Sequence, residues 1–157
     1  MSDSALETEA VARLLDGCVT PALTLDAMCA RRGHAEVVAG CVALIRGDYA
    51  DEAFIREIGG EGATYILDGN KRVDDRYWFR TWGARGLLYV WEDSALPAIV
   101  EATHDEHWRV REMAAKVVAR HQLDDALPEV VRLRDDPVPR VRTAAERAIA
   151  RLTAATP

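Results

Sequence analysis

Between Asp105 and Arg120 the chain sorts its residues onto two sides of a helix. Val110, Ala114 and Val118 recur at steps of four, which places them on one face. Arg109, Glu112, Lys116 and Arg120 fall on the other at helical spacing. The stretch DEHWRVREMAAKVVAR therefore predicts one amphipathic helix approached through an acidic turn. The pattern returns downstream as DPVPRVRTAAERAIAR from Asp136 to Arg151. A looser copy, DDRYWFRTWGARGLLY, runs upstream from Asp74 to Tyr89. The copies start at 74, 105 and 136, so the register is 31 residues each time.

The rest of the chain reads as shorter helices with explicit stops. Ser4 to Leu15 predicts a helix with a capping-box start at Ser4 and Glu7. Thr20 and Pro21, as cap and first helical residue, open a second helix that Gly33 ends. Ala35 to Arg46 predicts a third, closed by Gly47. Asp51 opens a short helix ended by Gly59 and Gly60, and Gly62 to Leu67 adds a brief helical segment. Asp68, Gly69 and Asn70 form a turn. Helices are then expected over Asp75–Trp91 and Glu106–Arg120, each followed by a short helix built on Ala-Leu-Pro, at Ala95-Leu96-Pro97 and Ala126-Leu127-Pro128.

A helix pair of this size cannot bury its apolar side alone, so a fixed period predicts that neighbouring pairs stack into a solenoid. Three features are shared with the short bacterial HEAT-like repeats: Ala-Leu-Pro in each short helix, an Asp before each long helix, and Val-Arg followed by a small residue (Val110-Arg111-Ala114, Val141-Arg142-Ala145). The chain resembles that family, phycobilin-lyase-type members included. The resemblance implies an all-α fold, a right-handed solenoid of antiparallel helix pairs. One domain is expected over residues 1–157, with 1–50 as divergent N-terminal helices or a cap, 51–92 as an irregular repeat and 93–152 as regular repeats.

The resemblance also implies a ladder in which Arg80, Arg111 and Arg142 reach the Asp of a neighbouring repeat, drawn from Asp74, Asp105 and Asp136. Such pairs fix register more than they add stability. The opposite stripe carries the candidate binding residues. In successive copies it reads Trp78, Thr81, Arg85, Tyr89, then Arg109, Glu112, Lys116, Arg120, then Arg140, Thr143, Arg147, Arg151. In HEAT-like stacks these helices line the concave surface. That surface is expected to be aromatic in the middle and basic toward the C-terminus, with Trp78 exposed as an anchor or wedged between repeats. Trp82, in the slot of Met113 and Ala144, is expected in the core.

The net charge of −6 hides this asymmetry. Residues 1–70 carry 12 acids and 5 bases, residues 105–157 carry 9 acids and 10 bases. The acidic front half argues against broad nucleic-acid binding. Cys18, Cys29 and Cys41 are odd in number and lack metal-ligand spacing, so they are read as reduced thiols of a cytoplasmic protein. No apolar run is long enough to span a membrane, and the acidic N-terminus lacks a signal-peptide pattern. His104 and His107 flank a helix start without further ligands, so no metal is assigned. No nucleophile–base motif, phosphate loop or cofactor fingerprint occurs.

The expected function is therefore a non-catalytic protein-interaction or scaffold module. Its face would be Trp78, Arg85, Tyr89, Arg109, Lys116, Arg120, Arg140 and Arg147. The expected partner is another protein, acidic in character. Nucleic acid ranks behind it, in the manner of HEAT-like alkylpurine DNA glycosylases, as does chromophore handling in the manner of the lyases. Self-association is a third alternative.

Overall fold

A computed structural model describes residues 20–70 and 73–154, and all its regular elements are helical. The expected helix Ser4–Leu15 and Cys18 lie outside the described residues. Helix α1 is Pro21–Arg32, α2 is His34–Ile45 and α3 is Glu52–Tyr65. Helix α4 is Tyr77–Gly86, α5 Leu96–Ala102, α6 Trp108–His121, α7 Leu127–Arg132 and α8 Pro139–Ala154.

Local chemistry sets most of these boundaries. The Thr20 side chain accepts the Leu23 N–H, and Pro21 takes the first turn of α1, where its missing donor costs nothing. Asp51 caps α3 by accepting from Phe54 N at 2.9 Å. The break expected at Gly59-Gly60 is present as a kink inside α3, where Gly60 adopts φ 58°, ψ −139°, a conformation that only glycine takes readily. A π-helical turn, Ile66–Asn70, follows.

The 31-residue register survives folding. Helices α4, α6 and α8 start at Tyr77, Trp108 and Pro139. The 3-10 turns Asp93–Ala95 and Asp124–Ala126 lead into α5 and α7 at Leu96 and Leu127. Helix α6 packs against both α4 and α8, and α4 packs against α2. Helices α5 and α7 pack against the long helices that follow them, α6 and α8.

One continuous core runs from Leu25 in α1 to Leu152 in α8. The equivalent positions Phe79, Val110 and Val141 are all buried, as are Gly83, Ala114 and Ala145 one turn on. The glycine in the first copy has a specific cause. A Cβ on Gly83 would lie 2.7 Å from the Cys41 carbonyl oxygen and 2.9 Å from Leu44 Cβ, so α2 approaches α4 too closely for alanine.

One boundary differs from expectation. Helix α4 ends at Gly86 rather than continuing to Trp91. The carbonyl of Leu87 is taken by His121 Nε2 at 2.6 Å, and the Trp91 ring stacks on the same imidazole at 4.8 Å. A side chain from the next repeat thus takes a carbonyl that would otherwise lie in the helix ladder.

Candidate interaction face

Two kinds of arginine lie on the long helices, and their surroundings separate them. Arg80 on α4 and Arg111 on α6 point between repeats. Arg80 donates from Nε and Nη2 to Asp105 at 2.7 and 3.1 Å, and Arg111 makes the same two bonds to Asp136 at 2.7 and 3.1 Å. Each Asp also accepts a backbone N–H at the start of its own helix, His107 N for Asp105 and Val138 N for Asp136. The aspartate therefore closes a turn and receives the fork of the preceding repeat at once.

The ladder has local variants. Arg111 and Arg142 each donate from Nη1 to a backbone carbonyl six residues back, Asp105 O at 2.8 Å and Asp136 O at 2.7 Å. Arg80 instead gives Nη1 to the Tyr49 hydroxyl at 3.1 Å, a partner that the repeat alignment did not signal. Burial opposes the charge on Arg80, but Asp105 and Tyr49 outweigh it and raise its pKa. Burial likewise opposes charge on Asp136, and Arg111 with the Val138 N–H outweighs it and holds the carboxyl below its usual value. The Asp74 side chain lies outside the described part of the structure.

The other arginines belong to the opposite stripe. Arg109 lies with its guanidinium 5.0 Å from the Trp78 ring and 4.4 Å from the Trp108 ring. Arg140 lies 5.3 Å from Trp108 on α6. Each such contact is worth about 0.5–2 kcal/mol, depending on how dry it is. The result is an alternating stack, Trp78, Arg109, Trp108, Arg140, laid across three successive helices.

Of the two expectations for Trp78, exposed anchor or wedge between repeats, this stack excludes the exposed one. Trp78 is only 7% exposed, covered by Arg109 from the next repeat and stacked on Trp82 at 6.1 Å. Its equivalents open progressively along the stack, Arg109 being half-buried and Arg140 exposed. Trp78 is thus a wedge and not an exposed anchor. Trp82 is fully buried, and its indole N–H has no hydrogen-bond partner among the described residues.

Below the stack sits the only acid of the stripe. Glu112 is 7% exposed and its Oε1 lies 3.0 Å from Lys116 Nζ and 3.2 Å from Arg140 Nη2. It offsets part of two positive charges and ties α8 to α6. The sequence showed Glu112 on the stripe, but not that Arg140 would reach back over it.

The remaining candidates stand apart from that cluster. Arg120, Arg147 and Tyr89 are exposed, Tyr89 at 46%, and Arg85 is half-buried. By the shared helix starts, Arg85, Lys116 and Arg147 occupy one equivalent position. Tyr89, Arg120 and Arg151 occupy the next, although Tyr89 falls in the turn after α4. Cations therefore recur at equivalent positions of successive helices, Lys116 among them being paired to Glu112.

The histidines have structural partners. His107 Nδ1 accepts the Arg109 N–H at 3.2 Å and so caps α6, and its ring stacks on Tyr77 at 3.5 Å. Burial, with Arg109 beside it, pushes its pKa down to about 4, so it is neutral and able to accept at pH 7. His104 pairs with Glu129 at 2.7 Å. Among the described residues no group of three or more His, Cys, Asp or Glu is placed to hold a metal ion. An open depression of about 400 Å³, lined by Asp93, Asp124, Asp125 and His121 among others, has the opposite charge character to the cation rows.

A family model for HEAT repeats matches residues 70–150, half of the 157-residue chain. No curated protein and no solved structure matches the chain. Among the described residues no helix is long and apolar enough to cross a membrane.

Proposed function

The chain belongs to the HEAT repeat family, and from that premise we propose that it is a non-catalytic interaction module that docks an acidic protein partner. HEAT repeats are generally protein-interaction or scaffold modules. In this reading residues 1–157 form one solenoid domain of antiparallel helix pairs, with 93–152 as its regular repeats. Helices α4, α6 and α8 line the concave side. The Arg80–Asp105 and Arg111–Asp136 pairs hold successive repeats in register.

One observation carries the reading. Of the twelve stripe positions, seven are cations (Arg85, Arg109, Lys116, Arg120, Arg140, Arg147, Arg151) and one is an acid, Glu112, in a chain of net charge −6. A segregation of this kind favours encounter with an acidic surface and gives it orientation.

The test is affinity capture from cells of the source, with captured proteins identified by mass. Arg120→Glu with Arg147→Glu is the variant of choice, because both residues are exposed. An acidic protein captured by the native chain and lost in this variant supports the reading. Capture that the variant retains removes it.

A further inference from the structure

We propose that Tyr89 is the apolar anchor of the docking face, and that His34 and His121 are positioning residues that hold its turn from the helices on either side, α2 and α6. This rests on the proposed docking of an acidic partner and adds the place where that partner seats an apolar side chain.

Tyr89 stands in the turn that follows α4. The turn is first closed by bonds of its own. The Leu88 N–H donates to the Arg85 carbonyl at 3.0 Å, and the Tyr89 and Val90 N–H groups donate to the Gly86 carbonyl at 3.0 and 3.1 Å. Leu87 and Val90 are buried, so the backbone on both sides of Tyr89 is anchored in the core.

Two carbonyls of the turn then go to side chains from other elements. His121, the last residue of α6, bonds through Nε2 to the Leu87 carbonyl at 2.6 Å. His34, the first residue of α2, bonds through Nε2 to the Trp91 carbonyl at 3.1 Å. A carbonyl only accepts, so each imidazole carries a proton on Nε2. The Trp91 ring stacks on His121 at 4.8 Å and donates its indole N–H to Asp93 at 3.1 Å. Helices α2 and α6 both pack against α4, so the turn is gripped from its two flanks.

Ending a helix does not require this much. One repeat later α6 closes on a left-handed Gln122, with the Leu123 N–H on the Val118 carbonyl at 3.1 Å. The first turn differs in the residue it presents. Among the described residues Tyr89 is the only exposed Phe, Tyr or Trp. A tyrosine offers a broad apolar ring and a hydroxyl donor at its tip, and it has few torsions to freeze. A backbone ordered before the partner arrives removes the cost of ordering it on binding. Tyrosine is also enriched among residues that dominate binding energy. Arg120, exposed and next to His121 in the chain, stands at the same end of α6. The segment that fits carries an apolar side chain for the ring, beside carboxylates for the Tyr89 hydroxyl and the cation.

The experiment is fluorescence anisotropy with two labelled peptides of equal charge, one repeating Glu-Glu-Leu and the other Glu-Glu-Ser. The native chain is expected to bind the leucine peptide about fivefold more tightly, a difference of about 1 kcal/mol. Tyr89→Ala is expected to remove that preference, and Tyr89→Phe to keep most of it. His34→Ala with His121→Ala is expected to cut the preference to about twofold or less and to speed hydrogen exchange at the Tyr89 amide about tenfold. His34→Gln with His121→Gln keeps a donor at each carbonyl and is expected to restore both. A thermal melt accompanies each variant, since a purely structural role would lower the melting temperature and leave the preference intact.

Equal affinity of the native chain for the two peptides overturns the anchor and leaves an acidic docking face standing. A leucine preference that survives Tyr89→Ala overturns the anchor as well. A preference that survives the two alanines, or that the two glutamines do not restore, overturns the role of the histidines. Failure to bind either peptide overturns both this proposal and the docking on which it rests.

Discussion

Arg111 grips Asp136 with two bonds, Nε to Oδ2 at 2.7 Å and Nη2 to Oδ1 at 3.1 Å, and Asp136 turns back to accept the N–H of Val138. The pair is nearly dry, with the two side chains 13% and 4% exposed. One aspartate thus links the start of α8 to the first turn of α6.

Removing the cation leaves that carboxylate buried without its main partner. Arg111→Ala is expected to cost about 2–4 kcal/mol, toward the range seen when one member of a buried pair is deleted. Arg142→Ala, which loses a bond to the Asp136 carbonyl, is expected to cost about 1 kcal/mol. Urea unfolding of the two variants checks the difference. Equal losses would mean that the bidentate pair has no special role in register.

Close approach of α2 to α4 makes a second prediction. Gly83→Ala places a methyl group against the Cys41 carbonyl oxygen, and backbone cannot step aside as a side chain can. A loss of about 1–3 kcal/mol is expected, despite the better helix propensity of alanine. The reverse change in the next repeat, Ala114→Gly, costs about 0.5–1 kcal/mol through backbone entropy alone, before any loss of packing. A rise in melting temperature for Gly83→Ala would refute the steric account.

The sequence made the repeat legible because local chemistry is copied with it. The Asp before each long helix, the Ala-Leu-Pro starts and the Val-Arg positions all recur at 31 residues, and so do the helix starts. Contacts made between unlike copies were not legible. Periodicity puts Trp78 in the slot of Arg109 and Arg140 and leaves anchor and wedge equally open, because exposure at that slot depends on what the following repeat lays over it. Arg109 covers Trp78, whereas the same slot in α8, Arg140, is exposed. The turn after α4 receives a contact of the same kind, since His121 from the next repeat bonds to the Leu87 carbonyl. Periodicity reports which face a residue takes, and it is silent on side chains arriving from outside the element.

The His107 imidazole predicts an acid-sensitive fold. Its folded pKa of about 4 lies below the ordinary 6.5, so between those pH values the unfolded chain binds the extra proton. Its contribution is complete above about pH 6.5 and is lost as pH falls toward 4. After discounting for partial exposure, the loss is about 1–2 kcal/mol. Asp136, whose folded pKa is also depressed, adds a further loss at lower pH. His107→Asn keeps an acceptor for the helix cap without a titrating ring, so its melting temperature should vary less between pH 6.5 and 4. An unchanged pH slope in that variant would assign the sensitivity elsewhere.

The thiols should differ in reactivity. Cys41 is fully buried beside α4, and burial, with Cys29 nearby, pushes its pKa up to about 12. Cys29 is half-buried with a raised pKa, from burial first and Asp26 second. Alkylation of the native protein, read by mass spectrometry, should leave Cys41 unmodified until denaturant is added. Rapid native labelling of Cys41 would mean that α2 and α4 separate readily.

The central claim is that one side of each long helix holds the fold and the other side docks a partner. Capture of an acidic protein by the native chain and by Arg120→Glu/Arg147→Glu, at matched salt and with matched melting temperatures, tests it most directly. The account predicts that capture is lost while the melt is unchanged. Capture that persists in the charge-reversed protein would contradict it.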